Sequence, residues 1–199
     1  MHNIQISTET YSRLEKLAQG FDTPESVIIR LLDNHINNIE EAKPTITFSP
    51  SDENLFKNEL IKRKEAEVVL YKIDGSREIH HWNATKISET SNLRANLWSG
   101  FLRDWKQKGI KYAELNILPM SINLPDDNTE QLKTLALELG LTFSEIKQLD
   151  YEIETNESND GLVYGYIIQF QQNDNEDILR KISGLNEHLS IQVGNIFNN

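Results

Sequence analysis

The sequence predicts an α+β protein, and three observations support this class. First, residues 3–7 alternate polar and apolar side chains, and two helical patterns follow them within residues 8–36. Second, Asp74-Gly75 stands between two strand patterns, which is typical of a β-hairpin turn. Third, from Lys111 onward the patterns run strand, helix, strand, strand, helix, strand. The 199 residues therefore predict helices and strands arranged as an N-terminal module and a larger mixed region.

The N-terminal module reads as a strand followed by two helices. Ile4 and Ile6 share one face of the strand and Gln5 points to the other, because side chains alternate along a strand. Apolar side chains at three- and four-residue spacing, Tyr11, Leu14, Leu17 and Ala18, predict the first helix. Gly20 is predicted to end it. Thr23-Pro24 then predicts the start of a second helix. Its apolar face consists of Val27, Ile28, Leu31, Leu32 and Ile36.

This arrangement resembles the ribbon-helix-helix family of DNA-binding domains. The strand at residues 3–7 has no pairing partner within the module, and the same strand of a second copy would satisfy its backbone groups. The resemblance implies a homodimer through residues 1–36 whose two-stranded ribbon enters the major groove of duplex DNA. It implies base contacts by Asn3, Gln5 and Ser7, and a phosphate at the N-terminus of the second helix, from Thr23 to Ser26.

The alternative is a ribbon that only dimerises. Residues 1–36 hold three basic side chains against five acidic ones, whereas phosphate contacts normally dominate affinity for DNA. The acidic groups are densest in residues 119–199, which carry 4 basic and 14 acidic side chains of a chain whose net charge is −11. This region is a candidate surface for a protein partner. Residues 51–118 carry 12 basic and 10 acidic groups, so this region is better suited than residues 119–199 to assist DNA binding.

The rest of the chain divides into three predicted parts. Residues 37–50 read as a polar linker with a short extended piece at 45–48. Residues 51–110 read as a helix, a β-hairpin and an amphipathic helix from Leu93 to Lys108, with Arg94 and Lys106 as candidate DNA contacts. Residues 111–199 have the β-α-β-β-α-β order of a ferredoxin-like fold. The alternative joins residues 51–199 into one domain.

One pattern suggests an enzyme. Pro125-Asp126 precedes Glu145-Ile146-Lys147 at the spacing of a restriction-type nuclease superfamily, in which the two carboxylates hold Mg²⁺ and the lysine assists the attacking water. Against this, a helix is predicted between Asp126 and Glu145, whereas those nucleases place the acidic pair on adjacent strands. Outside this alternative no metal or other cofactor is predicted, since the His residues show no ligand spacing and cysteine is absent.

The sequence thus predicts a homodimeric, sequence-specific DNA-binding protein, a bacterial or phage transcriptional regulator or accessory factor. The Mg²⁺-dependent nuclease is the first alternative. A non-DNA interaction protein that the ribbon dimerises is the second. The absence of cysteine, of a long apolar run and of a secretory leader predicts a cytoplasmic protein without a membrane span.

Overall fold

The chain forms two compact units in a computed structural model that describes residues 4–41, 43–122, 124 and 126–197. The N-terminal unit is Met1–Lys43 and the C-terminal unit is Pro44–Asn199. Both helices and sheets are present, so the predicted α+β class is confirmed.

The N-terminal unit consists of two helices, α1 (Thr8–Glu15) and α2 (Pro24–Glu41). The Ser7 hydroxyl caps α1 by accepting a hydrogen bond from the Thr10 N–H at 3.2 Å. Thr23 and Ser26 cap α2 reciprocally, because each side-chain oxygen accepts the other residue's N–H, at 3.2 and 2.8 Å. The predicted helix start at Thr23-Pro24 is confirmed. α1 ends at Glu15, however, well before the predicted end at Gly20.

The first sheet of the C-terminal unit contains β1 (Thr45–Ser49), β2 (Glu65–Lys72), β3 (Arg77–Asn83) and β4 (Ile110–Ile117), in the strand order β1-β4-β2-β3. β1 pairs parallel with β4, and β2 pairs antiparallel with both β4 and β3. The helices between these strands are α3 (Glu53–Arg63), α4 (Leu93–Ser99) and α5 (Trp105–Lys108).

The second sheet is antiparallel, with the strand order β5-β6-β7. Its elements are α6 (Thr129–Glu138), α7 (Phe143–Ile146), β5 (Tyr151–Glu157), β6 (Val163–Phe170), α8 (Glu176–Leu179) and β7 (Ser190–Gly194). The ferredoxin-like prediction was wrong, because it requires β4 to share one sheet with β5, β6 and β7. β4 instead lies between β1 and β2, which satisfy both of its edges.

The predicted linker and two predicted elements also differ from the structure. Residues 37–41 belong to α2 and residues 45–49 form β1, so little of the predicted linker at 37–50 remains. The helix predicted at 93–108 is broken after Ser99 by Gly100 and by Asp104, whose φ is 56°. The sequence also predicts a strand over residues 141–155, but this strand begins only at Tyr151, because Thr142 and Glu145 form a capping box that starts α7.

Two apolar cores stabilise the C-terminal unit. The first lies between one face of the first sheet and α3 and α4, and includes Phe56, Leu60, Leu97 and Leu115. The second lies under the second sheet and includes Leu135, Leu141 and Ile168. Because both cores are closed to solvent within one copy, this unit needs no second chain to bury its apolar side chains.

Candidate functional site

The N-terminal unit exposes most of its apolar side chains in a single copy. Within residues 4–35, Val27 is the one apolar side chain that is buried, at 1% exposure. The larger apolar side chains that remain exposed are Ile4, Ile6, Tyr11, Leu17, Phe21, Ile28, Ile29, Leu31 and Leu32. So many exposed apolar side chains on so small a unit are typical of an interface with another chain.

The segment before α1 also lacks a partner. Ile4 to Ser7 form neither a helix nor a paired strand within one copy. Ser7 is extended, with φ −69° and ψ 157°. The Ser7 carbonyl oxygen accepts the Tyr11 N–H at 2.9 Å, and the backbone groups of residues 4–6 are open to pairing with a second strand.

The predicted DNA contacts of this unit fall into three groups. Asn3 lies outside the described residues. Gln5 is exposed, as a base contact requires. Ser7, Thr23 and Ser26 use their hydroxyl groups in the helix caps, so their oxygens are already engaged within the chain. Since the caps also take the Thr23 and Ser26 amides, fewer amide groups at the start of α2 remain for a phosphate.

Arg30 holds the turn between α1 and α2. Its guanidinium pairs with the Asp22 carboxylate and donates to the Leu17 carbonyl oxygen at 2.6 Å. The Gln19 N–H and Arg30 lower the pKa of Asp22 by donating hydrogen bonds to its carboxylate. Arg30 is therefore committed to the fold, and Arg13 and Lys16 remain as the exposed basic side chains of residues 4–35.

Arg94 and Lys106, the predicted helpers, differ in their availability. The Arg94 Nε donates to Glu53 Oε2 at 2.7 Å, and its guanidinium lies 5.5 Å from the centre of the Phe48 ring. Lys106 is exposed and its ammonium lies 5.6 Å from the centre of the Trp105 ring. Glu53 thus partly neutralises the charge of Arg94, whereas the ammonium group of Lys106 remains available to pair with a phosphate.

The three residues of the nuclease pattern do not form the hairpin arrangement that this activity needs. Asp126 is exposed in a turn before α6, and Lys147 ends α7 with its ammonium 5.9 Å from the centre of the Phe143 ring. Glu145 lies in the first turn of α7, not on a strand. Among the described residues, no group of three or more His, Asp or Glu side chains lies together to hold a metal ion.

Two basic side chains and one backbone amide group donate hydrogen bonds to the Glu145 carboxylate. Arg77 donates to both of its oxygens at 2.8 Å, Lys181 donates to Oε1 at 2.6 Å, and the Thr142 N–H donates to Oε2 at 2.8 Å. Burial alone would raise the pKa of Glu145, but the hydrogen bonds from Arg77 and Lys181 outweigh it and lower the pKa to about 2. A carboxylate in this position is a structural tie between β3, α7 and the segment after α8.

The polar face of the first sheet carries a second buried carboxylate, which the sequence analysis did not identify. Glu67 on β2 is 2% exposed and accepts a hydrogen bond from the Phe143 N–H at 2.8 Å. Burial raises the pKa of Glu67, against the lowering effect of that hydrogen bond. The pattern Glu65-Ala66-Glu67 is a usable signal, because every second residue of β2 faces α6 and α7 instead of the first core.

Comparison with protein-family models, with curated proteins and with solved structures found no match to this chain. None of the helices that the structure describes combines the length and the apolar composition needed to cross a membrane.

Proposed function

We propose that this chain is a homodimeric, sequence-specific duplex DNA-binding protein of the ribbon-helix-helix type, acting as a transcriptional regulator or accessory factor. The observation that carries the proposal is the apolar surface of the N-terminal unit, where within residues 4–35 Val27 alone is buried while Ile6, Ile28, Leu31 and Leu32 are exposed. A second copy of the same unit is an occupant of matching size and chemistry.

The proposed dimer would explain how a unit with so little buried apolar surface is stable. α1 has 8 residues and no buried side chain, and an isolated helix of that length is not stable in water. Pairing residues 3–7 of two copies about a two-fold axis would satisfy their backbone groups and turn Ile4 and Ile6 toward α1 and α2.

The DNA contact rests on the opposite face of this ribbon. Gln5 points away from Ile4 and Ile6 by strand alternation, and its amide is suited to bidentate pairing with adenine. Few basic side chains support this contact, because Arg30 is held by Asp22. We therefore expect a shallow dependence of affinity on salt concentration.

In this proposal the C-terminal unit contributes an oligomerisation surface, a surface that binds a protein partner, or a second contact with DNA. Of its two parts, residues 51–118 carry a small positive balance and residues 119–199 a strongly negative one. We assign DNA contact to the first part and a protein partner to the second.

The experiment is a binding titration of the full chain against a duplex selected from random sequences and against an unrelated duplex. Gln5→Ala should cost about 1–3 kcal/mol on the selected duplex and little on the unrelated one, because only base contacts carry sequence information. Gln19→Ala is the matched control, since Gln19 is also exposed in the N-terminal unit.

Failure to bind any duplex at low salt would contradict the proposal. Mg²⁺ is added in a parallel series. Cleavage that is lost in Glu145→Ala but kept in Gln5→Ala would favour the nuclease alternative instead.

A further inference from the structure

A cavity of about 340 Å³ opens in the C-terminal unit where β3 ends. It lies between the last residues of β3, the loop that follows them and the end of α4. Its volume falls in the range of about 300–1,000 Å³ that is usual for small-molecule sites in proteins. The residues that matter for its chemistry are Trp82, Asn83, Lys86, Asn96 and Phe101.

Aromatic rings form one side of this cavity. Trp82 and Phe101 meet edge to face, with ring centres 5.8 Å apart, and Phe101 also lies 5.7 Å from the His80 ring. Both rings pack against the first core but remain partly exposed. Each of these partly exposed rings is held by its contacts and can stack with another aromatic ring.

Two amide side chains at the cavity offer one donor and one acceptor. Asn83 Oδ1 accepts from the Thr85 N–H at 3.3 Å, while Asn96 Nδ2 donates to the Asn92 carbonyl oxygen at 2.7 Å. Within the part of the chain that the structure describes, the Asn83 NH₂ group has no acceptor and Asn96 Oδ1 has no donor. Such a donor and acceptor beside aromatic rings match the hydrogen-bonding edge of a nucleobase.

The charge of the lining favours an anion. The cavity includes the exposed ammonium group of Lys86 and no carboxylate. Four other cavities of the protein each include at least one carboxylate, from Glu145, Asp22, Glu65 or Glu176. In a chain whose net charge is −11, a cavity without acidic groups is a distinctive place for a phosphate to approach.

We propose that this cavity binds an unpaired nucleotide of a DNA strand, with the base against Trp82 and Phe101 and a phosphate near Lys86. Asn83 and Asn96 contact the edge of the base. The site lies wholly in the C-terminal unit, so it does not depend on the ribbon and adds single-strand binding to the proposed recognition of duplex DNA. A free nucleotide shares this chemistry, and the experiment separates the two sources.

The experiment uses the full chain, a fluorescent oligothymidylate of about 12 nucleotides, within the usual site size of single-strand binders, and free thymidine monophosphate. We expect the oligonucleotide to bind more tightly than the mononucleotide. Phe101→Ala should weaken oligonucleotide binding by about 5- to 150-fold, the loss expected for one stacked base. Because Phe101 also packs against the core, the thermal unfolding of the Phe101→Ala variant is measured alongside its binding.

Lys86→Glu tests the site without disturbing the core, since Lys86 is exposed. It should weaken oligonucleotide binding more than Lys111→Glu, which makes the same change of charge at an exposed position on β4. Equal losses in the two variants would overturn the site, because they would show electrostatic attraction without a defined pocket. Equal affinity for the free nucleotide and the oligonucleotide would overturn its assignment to a strand.

Gln5→Ala separates this inference from the proposed function. It should leave oligothymidylate binding unchanged while it weakens binding to the selected duplex. Loss of single-strand binding in Gln5→Ala would place that binding on the ribbon and overturn the pocket.

Discussion

The two units of the chain differ in how much apolar surface each can bury by itself. In the C-terminal unit, Phe56, Leu60, Leu115, Leu135 and Ile168 are fully buried in one copy. In the N-terminal unit, Val27 is the single buried apolar side chain of residues 4–35. Because burial of apolar side chains is the main favourable term in folding, the C-terminal unit can be stable alone, and we propose that the N-terminal unit requires a second copy.

We propose that this difference separates two tasks within one chain. A unit that is stable only with a partner couples its folding to assembly, so the concentration of the chain controls how much of it is formed. A unit with closed cores can carry binding sites whose geometry is independent of assembly. The following predictions test this division, from the largest expected effect to the smallest.

Deletion of residues 1–36 should abolish dimerisation and sequence-specific binding to duplex DNA. The remaining chain should stay folded, because both cores lie in the C-terminal unit. Light scattering measures the mass, and circular dichroism follows thermal unfolding. A truncated chain that keeps the dimer mass would show that another surface holds the copies together.

Ile6→Asp should dissociate the dimer and unfold the N-terminal unit. In a single copy Ile6 is 41% exposed, so a monomer would tolerate the carboxylate, whereas a dimer would bury it without a partner. An uncompensated buried charge costs about 3–5 kcal/mol. Gln5→Ala is the matched control and should keep both mass and helix content. Identical unfolding curves for the two variants would mean that Ile6 is exposed in the assembled protein as well.

Glu145→Gln should destabilise the C-terminal unit by about 3 kcal/mol at pH 7. The pKa of Glu145 is lowered from its ordinary value of 4.5 to about 2, and each unit of such a shift corresponds to about 1.4 kcal/mol. Since the folded-state pKa is depressed, this stabilisation is fully present above pH 4.5 and is lost as the pH falls toward 2. Urea unfolding at pH 7 and at pH 2.5 measures the difference.

The matched control for Glu145 is Glu138→Gln, because Glu138 lines the same cavity of about 660 Å³ but is exposed. It should leave stability unchanged at both pH values. A loss in Glu145→Gln that persists undiminished at pH 2.5 would show that the carboxylate charge is not the source of the stabilisation.

Glu67→Gln should have the smallest effect and the opposite sign. Burial raises the pKa of Glu67, so the wild-type protein loses stability as the pH rises through the ordinary pKa of the carboxyl group. Glutamine keeps an oxygen for the Phe143 N–H and carries no charge. We expect a gain below about 1 kcal/mol at pH 7, on the order of one hydrogen bond, that vanishes near pH 4. A variant less stable than wild type at pH 7 would contradict this.

Much of the local structure could be predicted from neighbouring residues. Thr23-Pro24 and Asp52 mark helix starts through caps formed with residues three positions further along. The hairpin between β2 and β3 follows from two strand patterns around Asp74-Gly75. In each case the physical cause lies within a few residues of the pattern.

The sequence alone did not predict which distant elements meet. The same strand pattern at 110–117 is compatible with either sheet, and in the structure β4 pairs with β1 and β2. Glu145 pairs with Arg77, which lies 68 residues earlier in the chain. A residue of the nuclease-like pattern is therefore part of a structural ion pair. The cavity beside Trp82 and Phe101 likewise joins a strand end to the end of a helix.

The division has a physical reason. Periodicity and capping report the energetics of a few adjacent residues, which act before any long loop closes. Strand pairing, ion pairs and cavities depend on the competition among all non-local contacts for the same surfaces, and burial decides that competition. The sequence by itself therefore determined the helix starts and the hairpin. Only the tertiary structure decided the partners of β4, the role of Glu145 and the existence of a carboxylate-free cavity.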